Sequence, residues 1–376
     1  MLKNRLRSLL LATHLYIGIS VGLVFVLAGL TGSALVFYVE IDRLLNPDLV
    51  IAKSQAKEPK TYQEVYEVLR KQFPDRAKGW RFELPVEPDR PIMARYYKPI
   101  EKEHLTFAPF IVAIDPYSLK VINARFWGDY FVTWIYDLHY TLLMDRFGRI
   151  LMGFLGFVYL ATILIGLYLW WPKSAKWKQA LKVVPRQTSK KRIYDIHTIT
   201  GFYSVFLLIA LLVTGVVLSK PEWVKPILNE ASSIREAPVL ESKIIGVEKI
   251  TVDKALELAQ RQYPDASPRW VETPSGDKGV FLIRLRKPSE PGNRFPKTQV
   301  WIDQYTGKVL QSWSGLERPA GQTFLDWMHP IHSGEAFGLV GRLIIFVSGF
   351  IPLVLWLTGL IRWRHKVNQS VREVFY

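Results

Sequence analysis

Residues 14–34, HLYIGISVGLVFVLAGLTGSA, and residues 197–217, HTITGFYSVFLLIALLVTGVV, decide the reading of this chain. Each opens on a histidine, carries glycine four positions later and ends near a Thr-Gly pair. His14, Gly18, Thr31 and Gly32 therefore return as His197, Gly201, Thr214 and Gly215 at one offset of 183. Neither stretch contains a charged residue, and each matches the roughly 20 apolar residues that a bilayer crossing needs. The pattern predicts two equivalent membrane spans, each with an imidazole at its mouth.

The same repetition continues outward. Phe73-Pro74-Asp75 and Trp80 recur at an offset of 190 as Tyr263-Pro264-Asp265 and Trp270, and Asp115 and Lys120-Val121 recur at 188 as Asp303 and Lys308-Val309. His139, Gly148-Arg149 and Gly166 recur at 193 as His332, Gly341-Arg342 and Gly359. The chain thus reads as a tandem duplication. Charge-free runs at 15–39, 150–172, 196–219 and 343–361 give two spans per half. An even number returns the second half to the membrane in the orientation of the first. The repeats are then parallel, related by an axis along the membrane normal, and equivalent residues face each other at one depth. The first run follows Lys3, Arg5 and Arg7, but it is longer than a signal-peptide core and lacks a convincing cleavage site, so it reads as an uncleaved span.

Charge orients these spans. The chain has 49 Lys+Arg against 33 Asp+Glu, a net charge of +16. Residues 1–14, 173–195 and 362–376 carry net charges of three, seven and three, which leaves three for everything else. Basic loops stay cytoplasmic, so this distribution predicts a membrane protein with both termini inside and the two long segments outside, in the periplasm and with the spans in the inner membrane if the host is a Gram-negative bacterium, and argues against nucleic acid as a partner. The expected order is a cytoplasmic N-terminus and first span over 1–39, an external segment over 40–149, a span over 150–172 and a basic cytoplasmic loop over 173–195. A span over 196–219, an external segment over 220–342, a span over 343–361 and a basic tail over 362–376 follow. Helical spacing at 61–73 and 251–263 precedes strand-like runs at 92–97, 109–114 and 119–124, and at 279–286, 298–303 and 308–313. The fold class expected is therefore a membrane α-helical protein with four transmembrane helices as two parallel repeats, carrying two external α+β modules.

The absence of cysteine excludes disulfides, thiolate zinc, iron–sulfur clusters and covalently attached c-type haem. Histidine is the main ligand left. Four of the seven histidines obey the repeat: His14 and His197 at the cytoplasmic mouths, His139 and His332 just before the second and fourth spans on the outer side. Ionisable rings in an apolar bundle are costly and usually functional, although a lone interfacial histidine is more often a hydrogen-bonding residue. Two histidines make a poor zinc site, whereas haem iron needs only one or two axial ligands. Two levels predict two non-covalent b-type haems. Gly18 and Gly201, one turn beyond the inner histidines, either make room for a flat macrocycle or allow close helix packing. His329, three residues before His332, is the alternative outer ligand or a partner to a propionate or substrate. Arg149 and Arg342 either neutralise haem propionates or anchor headgroups, and Lys191 and Arg192 are the matching candidates inside. Residues 131–144 suit an interfacial helix that carries His139. External aromatics such as Trp127, Tyr130 and Trp313 either contact a bulky ligand or form an interfacial belt.

The stretches HLYIGISVGLVFVLAGLTGSALVFYVEIDRLLNP, DLHYTLLMDRFGR and HPIHSGEAFGLVGR closely resemble the PepSY-associated transmembrane-helix proteins, also called iron-regulated membrane proteins. The resemblance covers nearly the whole chain. It implies that the external segments are PepSY-like modules. Some members are haem-carrying inner-membrane ferric-siderophore reductases, so it also implies release of iron from a ferric siderophore in the periplasm. Electrons would pass from the cytoplasmic side to the periplasm. No nucleotide fingerprint occurs and the cytoplasmic loop is too short for a nucleotide-binding domain, so the donor would be a membrane quinol or an outside reductant. Two rival readings stand beside this one: a non-enzymatic, membrane-anchored PepSY binding or regulatory protein, and a transporter of iron chelate or haem. Against the transporter stand the lack of broken-helix signals and of intramembrane carboxylates.

Overall fold

A computed structural model describes residues 2–49, 58–172, 176–182 and 188–375. Parts of the expected cytoplasmic loop, at 173–175 and 183–187, lie outside the described residues. The elements begin with helices α1 (Leu2–Ser20), α2 (Gly22–Val36), α3 (Tyr38–Leu45) and α4 (Tyr62–Gln72). Strands β1 (Arg81–Glu83), β2 (Ile92–Tyr96), β3 (Phe110–Ile114) and β4 (Val121–Phe126) follow. Helices α5 (Phe131–Thr141), α6 (Asp145–Trp170), α7 (Trp177–Ala180), α8 (Ser189–Ser219), α9 (Pro221–Ala231) and α10 (Val252–Gln262) come next. The chain ends with β5 (Ser267–Glu272), β6 (Val280–Arg286), β7 (Thr298–Asp303), β8 (Val309–Trp313), α11 (Ala320–Ser333), α12 (Gly338–Ser348) and α13 (Ile351–Phe375). Two compact units result, one of residues 1–37, 135–224 and 331–376, the other of residues 38–134 and 225–330.

The first unit is helical. Three of its helical stretches, Asp145–Trp170, Ser189–Ser219 and Glu335–Val367, are long and apolar enough to cross a membrane, and α1 with α2 makes a fourth if the pair counts as one span. That pair is bent by 53°, which a single straight span over 1–39 did not anticipate. The cause is side chains that take carbonyls at the break. Tyr159 Oη donates to Val21 O at 2.5 Å and Trp356 Nε1 donates to Ile19 O at 3.2 Å. The last stretch is also two helices, because Pro352 has no N–H to continue the ladder from α12. A Cβ at Gly349 would fall 2.2 Å from Gly29 O, so the backbones of α2 and the α12–α13 junction pack in direct contact. The first and last spans are therefore broken rather than continuous as expected, and span continuity does not count against transport.

The second unit holds one eight-stranded antiparallel sheet, ordered β4-β3-β2-β1-β5-β6-β7-β8. Six strands fall on the predicted runs. The strands absent from the sequence reading, β1 and β5, are the ones that join the halves, pairing Phe82 with Val271. The two α+β halves thus share a single sheet with one apolar core, in which Leu69, Phe82, Ile92, Ile283 and Val300 are buried together. Strand β6 shows why: Phe281, Ile283 and Leu285 alternate inward along VFLIRLR, as a half-buried strand requires.

Helices α4 and α10 cover this core. Thr61 and Glu64 form a capping box at α4, and the Thr251 hydroxyl accepts from Lys254 N at α10. The two starts also cap each other. Asp253 accepts from Tyr62 N and Gln63 N at 3.0 and 2.9 Å, while Gln63 Oε1 accepts from Val252 N at 3.1 Å.

Candidate functional site

All four repeated histidines lie in the helical unit, and the structure brings them together in two pairs. The His14 and His197 ring centroids are 6.3 Å apart with planes at 90°, and those of His139 and His332 are 6.1 Å apart at 53°. His197 and the residues that seat His332 share the continuous helix α8. Seventeen residues separate His197 from Thr214, which at the helical rise puts the pairs about 25 Å apart along its axis.

Each ring rests on a helix other than its own, against a glycine. A Cβ at Gly166 of α6 would lie 2.8 Å from His14 Cε1, and one at Gly32 of α2 would lie 3.0 Å from His139 Cε1. At Gly215 of α8 it would lie 3.3 Å from His332 Cε1, and at Gly359 of α13, 3.8 Å from His197 Cε1. One turn before Gly166 and Gly32, a backbone carbonyl takes the ring Nδ1–H. Thr162 O accepts from His14 and Ala28 O from His139, each at 3.0 Å.

A threonine hydroxyl joins this arrangement in three of the four seats. Thr31, Thr214 and Thr358 immediately precede Gly32, Gly215 and Gly359, and their Oγ1 atoms lie 3.1, 2.9 and 2.8 Å from Nδ1 of His139, His332 and His197. Each hydroxyl donates to its own helix, at Leu27 O, Ala210 O and Val354 O, so its oxygen accepts from the ring. The fourth seat has Ile165 in this place. With Nδ1–H committed, Nε2 keeps its lone pair, which is the tautomer of a metal ligand.

Separation of the rings suits a shared metal. Nitrogens at about 2 Å on either side of an ion, plus the ring radii, put imidazole centroids about 6 Å apart. Among the described residues no group of three or more His, Asp or Glu converges on a metal-sized point. Two ligands per level therefore call for a metal that brings its other donors with it. Two cavities, of about 320 and 260 Å³, flank the His14–His197 pair. Gly18 lines the first and Gly201 the second, and nothing lies within 4 Å of where a Gly18 Cβ would stand. Each volume is near the lower bound of ligand pockets, and with the imidazoles between them they fit a flat macrocycle. The residues present fit haem at this level.

The remaining candidates fall elsewhere. His329 belongs to the sheet unit, where its ring meets Phe295 edge-on at 4.6 Å, and His332 is the residue that faces His139. Arg149 Nη2 lies 3.8 Å from Glu222 Oε1. Arg342 Nη2 donates to Val36 O at 2.8 Å, with its guanidinium 4.5 Å from the Phe37 ring. Both arginines are thus engaged by protein groups. Lys191 and Arg192 are exposed in the first turn of α8. Of the cations that line the inner cavities, Lys366 reaches the first and Arg7 the second, while Arg362 lines both and lies 4.7 Å over the Tyr194 ring. Sequence reasoning missed Arg362 because its repeat partner is not a cation: an offset of 193 points back to Leu169. It also had Gly166 and Gly359, and the two Thr-Gly pairs, as repeat markers without seeing that they seat the rings.

Comparison with known proteins gives the chain its place. Residues 11–366 match the family described as PepSY-associated TM region, so the chain belongs to that family and is a membrane protein. No curated protein matches it.

Proposed function

We propose that this member of the family is a di-haem b electron-transfer protein of the bacterial inner membrane. It would pass electrons from the cytoplasmic side to the periplasm and reduce a ferric siderophore there. The observation that carries this reading is the two-level pairing of His14 with His197 and His139 with His332, each ring held at Nδ1 so that Nε2 keeps its lone pair for a ligand role. Four transmembrane helices in two parallel repeats, with the basic stretches inside and PepSY-like modules outside, supply the orientation. When bound, porphyrin iron supplies the one-electron chemistry.

The chain's own residues have three tasks in this scheme. The four histidines ligate, while Thr31, Thr214 and Thr358 and the carbonyls of Thr162 and Ala28 fix the tautomer and raise ligand basicity. Gly32, Gly166, Gly215 and Gly359 let helix and ring approach, and Gly18 and Gly201 keep the two inner cavities open. Arg362 offers a positive charge to a propionate at the inner site. The ferric substrate gains one electron per iron from a donor, a quinol or a cytoplasmic reductant. Reduction loosens the metal because iron(II) binds hard oxygen donors less tightly than iron(III).

The test is spectroscopic. Full-length protein from haem-replete cells is expected to show two low-spin b haems per chain, one lost in His14→Ala and the other in His332→Ala. Colourless protein would overturn the reading in favour of a membrane-anchored binding module. Reduced protein mixed with ferric siderophores should reoxidise, and failure with all of them would remove the reductase assignment.

A further inference from the structure

We infer that the face of the sheet turned away from α4 and α10 is a recognition site for an anionic, oxygen-rich chelate, so that the substrate carries net negative charge. This rests on the reductase reading. The core face takes Phe82 of β1, so Arg81 and Glu83 point to the other side. Register then sets Arg81 directly opposite Arg95 of β2 and beside Glu272 of β5. Like charges directly across a strand pair are destabilising.

One carboxylate serves both arginines. Glu83 Oε1 is 3.0 Å from Arg81 Nη2 and 2.8 Å from Arg95 Nε. Arg284, in register with Trp270, has its own partner in Glu272 at 3.2 Å, and Arg125 has Asp42 at 3.0 Å. The cluster therefore carries one positive charge in excess. It does so out of bulk water, with the Arg81 and Arg95 side chains only 12% and 14% exposed and Arg81 Nε buried without a hydrogen-bond partner among the described residues. A shielded positive charge in excess of the carboxylates around it is costly unless something else supplies the missing one.

Aromatic rings hold the guanidiniums in place. Arg81 lies 4.1 Å over Trp270 and 4.9 Å from the Tyr97 ring, and Arg95 lies 5.5 Å from Trp127. Stacked guanidiniums present fixed N–H edges, the geometry for paired carboxylate or phenolate oxygens, and indole faces suit a flat apolar body. Glu272 and Arg284, about a third exposed, mark the open side. Ferric catecholates and ferric citrate meet this description, whereas ferric trihydroxamates bring no negative charge to pair with Arg81 and Arg95.

Calorimetric titration of the full-length protein with gallium(III) complexes tests this, because gallium(III) copies the charge and size of iron(III) without taking an electron. Gallium catecholate or citrate should bind at least tenfold tighter than a neutral gallium trihydroxamate. Arg81→Gln and Arg95→Gln should each lose tenfold or more of that affinity, and Glu83→Gln, which removes the competing carboxylate, should tighten it. Equal affinity for charged and neutral complexes, no binding of either anionic complex, or binding untouched in both arginine variants would overturn the site. Protein that binds no gallium complex yet is reoxidised by ferric ones loses this site and keeps the reductase reading; binding without reoxidation does the reverse.

Discussion

The helical unit and the sheet unit both carry the marks of duplication, but they bring equivalent parts together in opposite ways. In the sheet unit, β1 meets β5 backbone to backbone, and the halves share one closed core. In the helical unit, the equivalent histidines stop short of each other, ring centroids 6.1 to 6.3 Å apart, and each ring is propped by a neighbouring helix. One junction is sealed for stability. The other is held open at a fixed width, which is what a site requires. Glycine has the same logic in both pairs of rings, since it permits contact without filling the gap.

The sharpest way to break this contrast is to fill a seat. Gly166→Leu places a branched side chain where the His14 ring lies, and haem content should fall from two per chain to one, measured as pyridine haemochrome. The sheet should keep its urea midpoint. Next in size is Phe82→Ala, which opens a cavity at the sealed junction and should cost about 3–5 kcal/mol in denaturant unfolding of the sheet. The visible spectrum should not change, and loss of haem from this variant would show that the two units are not separable in function.

Smaller changes sharpen the difference between the two levels. Thr214→Val removes the hydroxyl that holds His332 Nδ1, and retention of the outer haem should fall by roughly 10–100-fold, read by transfer to apomyoglobin. Ile165→Thr supplies the hydroxyl that the His14 seat lacks, and should slow haem loss at the inner level and lower its reduction potential. The smallest effect concerns pH. Burial pushes the Asp303 carboxyl upward, but N–H donors from Thr306, Lys243 and Tyr305 outweigh it and hold it below the usual range. Its stabilising contribution is complete above the unfolded value of about 3.9 and fades as pH falls through the folded one. Asp303→Asn should therefore lower the sheet's melting temperature at pH 6 and the gap to wild type should close below about pH 4. A gap that widened toward acid pH would contradict the hydrogen-bonded carboxylate.

Much of this was legible because duplication writes tertiary information into a single chain. An offset of 183 or 193 links His14 to His197 and His139 to His332, and the structure brings the rings of each pair within 6.3 Å of each other. The seats were not legible in the same way. Gly18 follows His14 by one turn on the same helix, so local spacing picked it out, and it does line a cavity. The glycine that touches the ring, Gly166, lies on α6, and no local period links the two. Strands β1 and β5 escaped for another reason. Arg81-Phe82-Glu83 is too short to show alternation, and β5 contains Pro268 and a bulge beside it. The bend at Val21 has no Pro to announce it, because its cause is Tyr159, a residue on another helix.

The seam between β1 and β5 has one more consequence. Its strands run antiparallel, and Gln63 and Asp253, equivalent under the offset of 190, each cap the other's helix. Contacts of this self-complementary kind are those of an isologous homodimer. A chain of half the length could therefore have assembled the whole arrangement from two identical copies, and joining them end to end would have freed each copy to specialise. The Ile165 seat, the bent first span and Arg362 are what such freedom leaves behind: departures from symmetry that a true homodimer could never hold on one side alone.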